Sequence, residues 1–200
     1  MRILPMGDRA VLVEALPSAP AAWADGLRSL APDGLVDVVP AARTVLVRCA
    51  STASLLRAVE RFGEIAPADG EIAGGEAIVI PVRYDGPDLA AVAAATGRAV
   101  ADVVALHAGA TYRVAFCGFA PGFAYLEGLP GELHIARRST PRVRVPAGSV
   151  AIAAEYAAVY PRESPGGWHL IGTTSMTMWD LDREPPAPLT PGTIVRFEAI

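Results

Sequence analysis

Residues 9–14 alternate loosely about Val11 and Val13, the period of a strand with one buried face. In AAWADGLRSL, Trp23, Leu27 and Leu30 then fall at helical spacing. Gly26 weakens that helix by about 1 kcal/mol relative to alanine, and Pro32 and Gly34 end it. LVDVV, from Leu35, reads as a strand, and so does RTVLVRC, where Val45, Val47 and Cys49 share one face. Ser51 or Thr52 caps a second helix bearing Leu55, Val59 and Phe62. Ile78, Ile80, Val82 and Tyr84 alternate in a further strand. Strand, helix, strand, strand, helix, strand is the ferredoxin-like α+β order, with two helices on one face of an antiparallel sheet, and it predicts a first domain over residues 1–84.

Residues 85–110 read as a helical connector or lid. Asp88 caps a helix through Leu89 and Val92 that Gly97 breaks, and a second helix carries Val100, Val103, Val104 and His107 as far as Gly109. From residue 111 the period changes. TYRVAF, RVRV, SVAIAA, WHLIGTTS and TIVRFEAI are short strands separated by Gly/Pro turns, which predicts an all-β barrel or sandwich over residues 111–200. In RVRV the arginines face water and the valines a core. Pro185, Pro186, Pro188 and Pro191 cannot donate to a ladder, so that segment is an extended loop.

Hydrophobic residues make up 52% of the chain and charged residues 19%, enough for a sizeable core. A net charge of −4 argues against a general nucleic-acid binder. Cys49 and Cys117 are too few for a disulfide framework or the usual zinc site, and a reduced pair is expected. Arg2, Asp8, Arg9 and Glu14 interrupt the apolar core that a signal peptide needs, and no apolar run reaches membrane-spanning length. The expectation is a soluble cytoplasmic protein with no metal and no membrane partner.

Three clusters carry the special residues: FCGFAPGFAYLEGLP from Phe116, RRSTPRVRVPAGSVAIA from Arg137, and YPRESPGGWHLIGTT from Tyr160. Each alone is a tight turn between strands; together they suggest a shaped site. Arg137, Arg138, Arg142, Arg144 and Arg162 are guanidinium forks suited to carboxylate or phosphate, although Arg142 and Arg144 also read as the wet side of a strand. Ser164-Pro165-Gly166-Gly167 offers backbone N–H groups to an oxyanion. Neither it nor Gly74-Gly75 has the Gly-Lys-Ser/Thr ending of a phosphate-binding loop. Ser149 lies outside a nucleophile elbow and reads as a turn residue. His107, His134 and His169 show no ligand spacing and read as surface or helix-face residues, and Glu127, Glu132, Glu155 and Glu163 cannot be paired for acid–base work. Gly7-Asp8 is a contact site or a plain turn. The inventory fits binding and positioning, and no catalytic group stands out.

FCGFAPGFAYLEGLP, TPRVRVPAGSVAIA, VYPRESPGGWHLIGTT and LTPGTIVRFEAI resemble the carboxyltransferase-domain subunit 1 family over nearly the whole chain. That family takes in one component of the bacterial ATP-dependent 5-oxoprolinase, proteins labelled allophanate hydrolase subunit 1, and the sporulation kinase inhibitor KipI. The resemblance implies a ferredoxin-like domain joined to a cyclophilin-like β-barrel. It implies a homologous subunit 2 (the C subunit of 5-oxoprolinase) as partner, a third 5-oxoprolinase subunit, and ATP used by the complex rather than held by this chain alone. The implied reaction opens 5-oxo-L-proline to L-glutamate; the alternative is an inhibitor of a sensor histidine kinase. A prolyl isomerase would rest on barrel topology alone, and fold does not carry function. The implied site for a small carboxylate or amide is lined by Phe119, Pro121, Gly122, Phe123 and Tyr125, by Arg138, Arg142, Pro146, Gly148 and Ser149, and by Tyr160, Ser164, Pro165, Gly166, Gly167, Trp168 and Thr173. Two departures stand out. AIAAEYAAVYP has Ala154 where the family has glycine, and Ala157-Ala158 in place of Thr-Gly. IGTT has Thr173 in place of an arginine.

Overall fold

The computed structural model describes residues 1–66 and 76–200, so Gly74-Gly75 lies outside the described residues. The chain divides into two compact units, 1–74 and 75–200.

In the first unit, strands β1 (Arg2–Pro5), β2 (Ala10–Glu14), β3 (Leu35–Pro40) and β4 (Thr44–Cys49) form an antiparallel sheet in the order β1-β2-β4-β3. Helices α1 (Pro20–Leu30) and α2 (Thr52–Glu60) bury Trp23, Leu27 and Leu55 in one core with Val13, Val45 and Val47. Trp23 meets Phe62 edge to face at 5.1 Å, a favoured aromatic geometry. The cap falls at Ser51, whose Oγ accepts from the N–H of Ser54 at 3.1 Å. Gly26 has a packing reason: a Cβ there would lie 2.3 Å from the Ala66 carbonyl oxygen.

The expected fourth strand of this sheet is a correction. Strand β5 (Ile78–Val82) runs parallel to β13 (Ile194–Ala199), pairing Val195 with Ile78 and Ala199 with Val82, and so belongs to the second unit. The first sheet's edge beside β2 is taken instead by β1, which the sequence reading missed. The boundary expected at residue 84 therefore moves to 74. Period alone marks a strand's buried face and says nothing of its neighbour.

In the second unit a seven-stranded sheet runs β12-β9-β10-β7-β6-β13-β5. It adds β6 (Thr111–Cys117), β7 (Ala124–Glu127), β9 (Ser149–Ala153), β10 (Tyr156–Val159) and β12 (His169–Thr173). Its two ends meet where Arg83 and Thr173 exchange backbone hydrogen bonds of 2.9 and 2.8 Å, leaving a nearly closed barrel. After Ser149, strand β9 is wholly apolar because both its faces are buried. Val150 and Ile152 enter the main core, and Ala151 and Ala153 a second cluster with Phe123, Tyr160 and Trp168. Strands β8 (Arg142–Val145) and β11 (Ser164–Gly166) form a separate two-stranded ribbon. There Val145 is buried but Val143 is 86% exposed, so the expected buried face holds at one position only. Helices α3 (Leu89–Thr96) and α4 (Val100–Gly109) are no loose connector, since Leu89, Val92 and Val103 lie in the barrel's core cluster. Among the described residues no single helix is long and apolar enough to cross a membrane.

His107 lies on the buried face of α4, so of the two expectations the helix face holds and the surface does not. Its ring lies 4.4 Å from that of Phe197, and Nδ1 is 2.8 Å from the Tyr84 hydroxyl. Burial lowers its pKa to about 3. The folded state therefore holds a neutral imidazole where the unfolded chain takes up a proton below about pH 6.5. His107's contribution to stability is complete above that value and is lost progressively as pH falls toward about 3. Denaturant titrations should show stability falling between about pH 6.5 and 5 by up to about 1.4 kcal/mol per unit, and His107→Gln should flatten that slope. Parallel slopes in the two proteins would exclude His107 as the source.

Candidate functional site

The hairpin tip between β6 and β7 builds an aromatic cleft. Gly118 N–H donates to the Phe123 carbonyl at 3.1 Å, and Phe123 N–H donates to that of Ala120 at 3.0 Å. Pro121 and Gly122 form the corner. Gly122 has φ +79°, and a Cβ there would meet the Met178 carbonyl oxygen at 2.5 Å. Across Phe119, Ala120 N–H donates to the Gly118 carbonyl at 2.8 Å, while Phe119 itself has φ +69°. That is a left-handed γ-turn, rare and strained for a side chain of this size. The ring it presents is 60% exposed.

Phe119, Phe123, Tyr125, Tyr160, Trp168 and Arg137, with residues 165–167, line a cleft of about 90 Å³. The Phe123 ring centre lies 5.1 Å from that of Tyr125, 5.3 Å from Tyr160 and 5.7 Å from Trp168, all edge to face. Arg137 stands over Trp168 with its guanidinium carbon 5.9 Å from the ring centre. Burial pushes the Tyr125 hydroxyl pKa up, and the Arg137 charge pulls against it. Burial likewise raises Tyr160, opposed by a hydrogen bond from the Trp168 backbone.

The arginines expected to bind an anion are otherwise engaged. Arg138 Nη1 and Arg142 Nη2 both donate to Asp88 Oδ1, at 2.8 and 2.7 Å, and Asp88 Oδ2 accepts from Leu170 N–H at 2.8 Å. The Asp88 side chain is 4% exposed. Burial alone would raise its pKa. The Arg142 and Leu170 hydrogen bonds and the charges of both arginines outweigh that and hold it below the usual carboxylate value. Asp88 stands at the start of α3, as expected, but its side chain makes no capping bond there. Sequence reasoning missed this role, because the two partners lie 50 and 54 residues downstream.

Other expected positions separate. Ser149 Oγ donates to the Pro146 carbonyl at 2.8 Å, and Gly148 has φ +76°, so PAGS is a tight turn into β9. Thr173 Oγ1 donates to Asp85 at 2.9 Å, which places the missing family arginine at the barrel seam rather than in the cleft. Ser164 to Gly166 is a strand paired with β8 rather than a loop, and residues 165–167 stay with the cleft. Gly166 is needed for room, since a Cβ there would lie 2.2 Å from the Tyr160 hydroxyl. Ala157 and Ala158 are buried in β10, so that departure alters packing and not the cleft, whereas Ala154 occupies a left-handed position at φ +51° where glycine fits without strain. Arg144 pairs with Glu163 at 3.3 Å in solvent. In the first unit, Asp8 and Arg9 line a cavity of about 400 Å³ with Met6, Val36 and Arg48, and lie 3.6 Å apart as an exposed ion pair.

Fold and site together mark a carboxyltransferase-type domain. The chain belongs to the family described as carboxyltransferase domain, subdomain C and D, whose model matches residues 1–189. It is 41% identical to the 5-oxoprolinase B subunit of Escherichia coli O157:H7, over 96% of this chain and 93% of that protein. The crystal structure of TTHA0988 superposes with a TM-score of 0.80 at 36% identity over 96% of this chain, which spans 40% of that longer chain. The K. lactis urea amidolyase, at 19% identity and a TM-score of 0.72, shares the fold; the match covers 99% of this chain and 15% of that one.

Two substitutions probe the site's construction. Asp88→Asn leaves two neighbouring guanidiniums without their carboxylate; their partial exposure sets the loss near the lower end of about 3–5 kcal/mol, measured by chemical denaturation. Phe119→Gly should be more stable than Phe119→Ala by about 1–2 kcal/mol, because a left-handed φ penalises alanine and not glycine. The usual order, alanine above glycine, would mean that the turn relaxes once the ring is gone.

Proposed function

We propose that this chain is the B subunit of an ATP-dependent 5-oxoprolinase, acting in the cytoplasm with a homologous C subunit and a third subunit to open 5-oxo-L-proline to L-glutamate. The observation that carries this reading is 41% identity, across nearly the whole of both chains, to a protein named as the B subunit of 5-oxoprolinase. The reaction breaks the ring C–N bond, with water supplying a hydroxyl to the carbonyl carbon and a proton to the nitrogen. ATP is used by the assembled complex. The chain has no Gly-Lys-Ser/Thr phosphate loop of its own. We read the first unit as a ferredoxin-like variant whose edge strand comes from the N-terminus, and the second as a cyclophilin-like barrel. The relatives carry the name of the enzyme component and not that of a kinase inhibitor.

The aromatic cleft suits the substrate's chemistry. A five-membered lactam presents apolar ring faces to Phe123, Tyr160 and Trp168, and its carboxylate needs a cation at the rim. Arg137 fills that role in place of Arg138 and Arg142, which are bound to Asp88. Its five N–H donors match a carboxylate fork.

Co-expression with the neighbouring subunits should yield ATP-dependent glutamate release from 5-oxoproline. Losing a charge-assisted contact removes about 1.5–3 kcal/mol, so Arg137→Ala should raise KM by more than about tenfold with a smaller change in kcat. An assembled complex that releases no glutamate sinks the functional reading. Normal release with an unchanged KM in the variant leaves the function standing and moves the substrate out of this cleft.

A further inference from the structure

Arg137 borders a second, larger cavity as well. About 450 Å³ of space is lined by Ala95, Ile135, Ala136, Arg137, Arg138, Ser139, Thr140 and His169. This volume falls in the usual range for small-molecule sites. Its polar wall consists of two guanidiniums, an imidazole and two hydroxyls, with no carboxylate among the described lining residues.

The local charge is positive after internal pairing is counted. Arg138 and Arg142 share the one carboxylate of Asp88, which leaves one positive charge, and Arg137 adds a second. This excess stands out in a chain of net charge −4. The wall is also held in place before any ligand arrives. Arg138 is fixed by its bond to Asp88 and by its own N–H, which donates to the Gly167 carbonyl at 2.8 Å. His169 is oriented by the 2.9 Å contact of Nε2 with the Ala136 carbonyl, which makes Nε2 the protonated nitrogen. Arg138 Nε and His169 Nδ1 are buried without a partner among the described residues, an uncommon state for polar atoms.

We infer that this pocket binds an oxyanion of the phosphate class, free or as the terminal group of a small molecule. Arg137 supplies the fork, Arg138 the fixed charge, and Ser139 and Thr140 the hydroxyl donors. A tetrahedral oxyanion accepts from several directions at once and suits a wall of guanidinium and hydroxyl donors better than a planar carboxylate does. The inference concerns binding to this chain alone, so it stands or falls apart from the 5-oxoprolinase reading.

The test uses the full chain titrated with inorganic phosphate at constant ionic strength, balanced with potassium chloride, and followed by thermal denaturation and by amide NMR. Phosphate should raise Tm saturably where chloride does not, with shifts at residues 136–140 and 169. Arg137→Gln should weaken the apparent affinity by more than fivefold, and the milder Thr140→Ala, which keeps every charge, should weaken it measurably. A parallel titration with glycerol phosphate separates the sources: tighter binding of the ester identifies an esterified ligand, and equal or weaker binding identifies the free ion. The proposal is overturned if phosphate and chloride act alike, or if both variants bind phosphate as the parent chain does.

Discussion

A single buried carboxylate holds the second unit's site together. Asp88 accepts from Arg138, Arg142 and the Leu170 N–H, its own N–H donates to the Leu170 carbonyl, and its carbonyl accepts from Val92 in the first turn of α3. One residue therefore ties a helix start, a barrel strand and the segment carrying Arg137 to Thr140. The net stability from such a buried ion cluster is modest, because stripping water from three charges offsets much of their attraction. What it fixes is geometry. The segment is anchored at Arg138 and Arg142, and Arg137, just before the first anchor, borders both the aromatic cleft and the polar pocket.

How much of this was open to sequence reasoning depends on the reach of each signal. Local signals held: Trp23 and Leu27 on a buried helix face, Ser51 at a cap, and the strands at 111–117 and 194–199. Long-range ones did not. Strand 78–82 looked like a partner for the first sheet because its alternation is right, yet it pairs with a strand more than a hundred residues later. Arg138 and Arg142 looked free because their carboxylate lies fifty residues upstream in what read as a helix cap. Strands β7 and β10 were hidden by aromatics and alanines that suggested a turn and a family departure.

The glycine-rich motifs were visible as special, but their reasons were not. Gly166 yields space to the Tyr160 hydroxyl, Gly122 to the Met178 carbonyl, and Gly26 to Ala66. In each case the constraint is a neighbour's approach and not a ligand's. The same distinction settles the departures from the family pattern: Ala157 and Ala158 fill the interior, and Thr173 closes the seam. None of the three borders the aromatic cleft, whose described lining is the aromatic set with Arg137 and residues 165–167. Phe119 is the converse case, a side chain where glycine is easier, and its left-handed backbone carries a strain of about 1–3 kcal/mol.

Desolvation explains why the neighbouring arginines have different parts. Arg138 and Arg142 are partly withdrawn from water and Asp88 is buried, so leaving any of the three uncompensated carries a cost, and Asp88 is the arginines' counter-ion. Arg137 is exposed and keeps its hydration, so it stands unpaired among the described residues at little penalty. A hydrated guanidinium braced against an indole exchanges water for an incoming anion without first breaking a protein ion pair. The paired arginines would have to release Asp88 into a buried, unpaired state before doing the same. The cation able to open its fork to a ligand is therefore the one left without a counter-ion, and the Asp88-bound pair holds it in place while Arg138 adds its charge to the pocket wall.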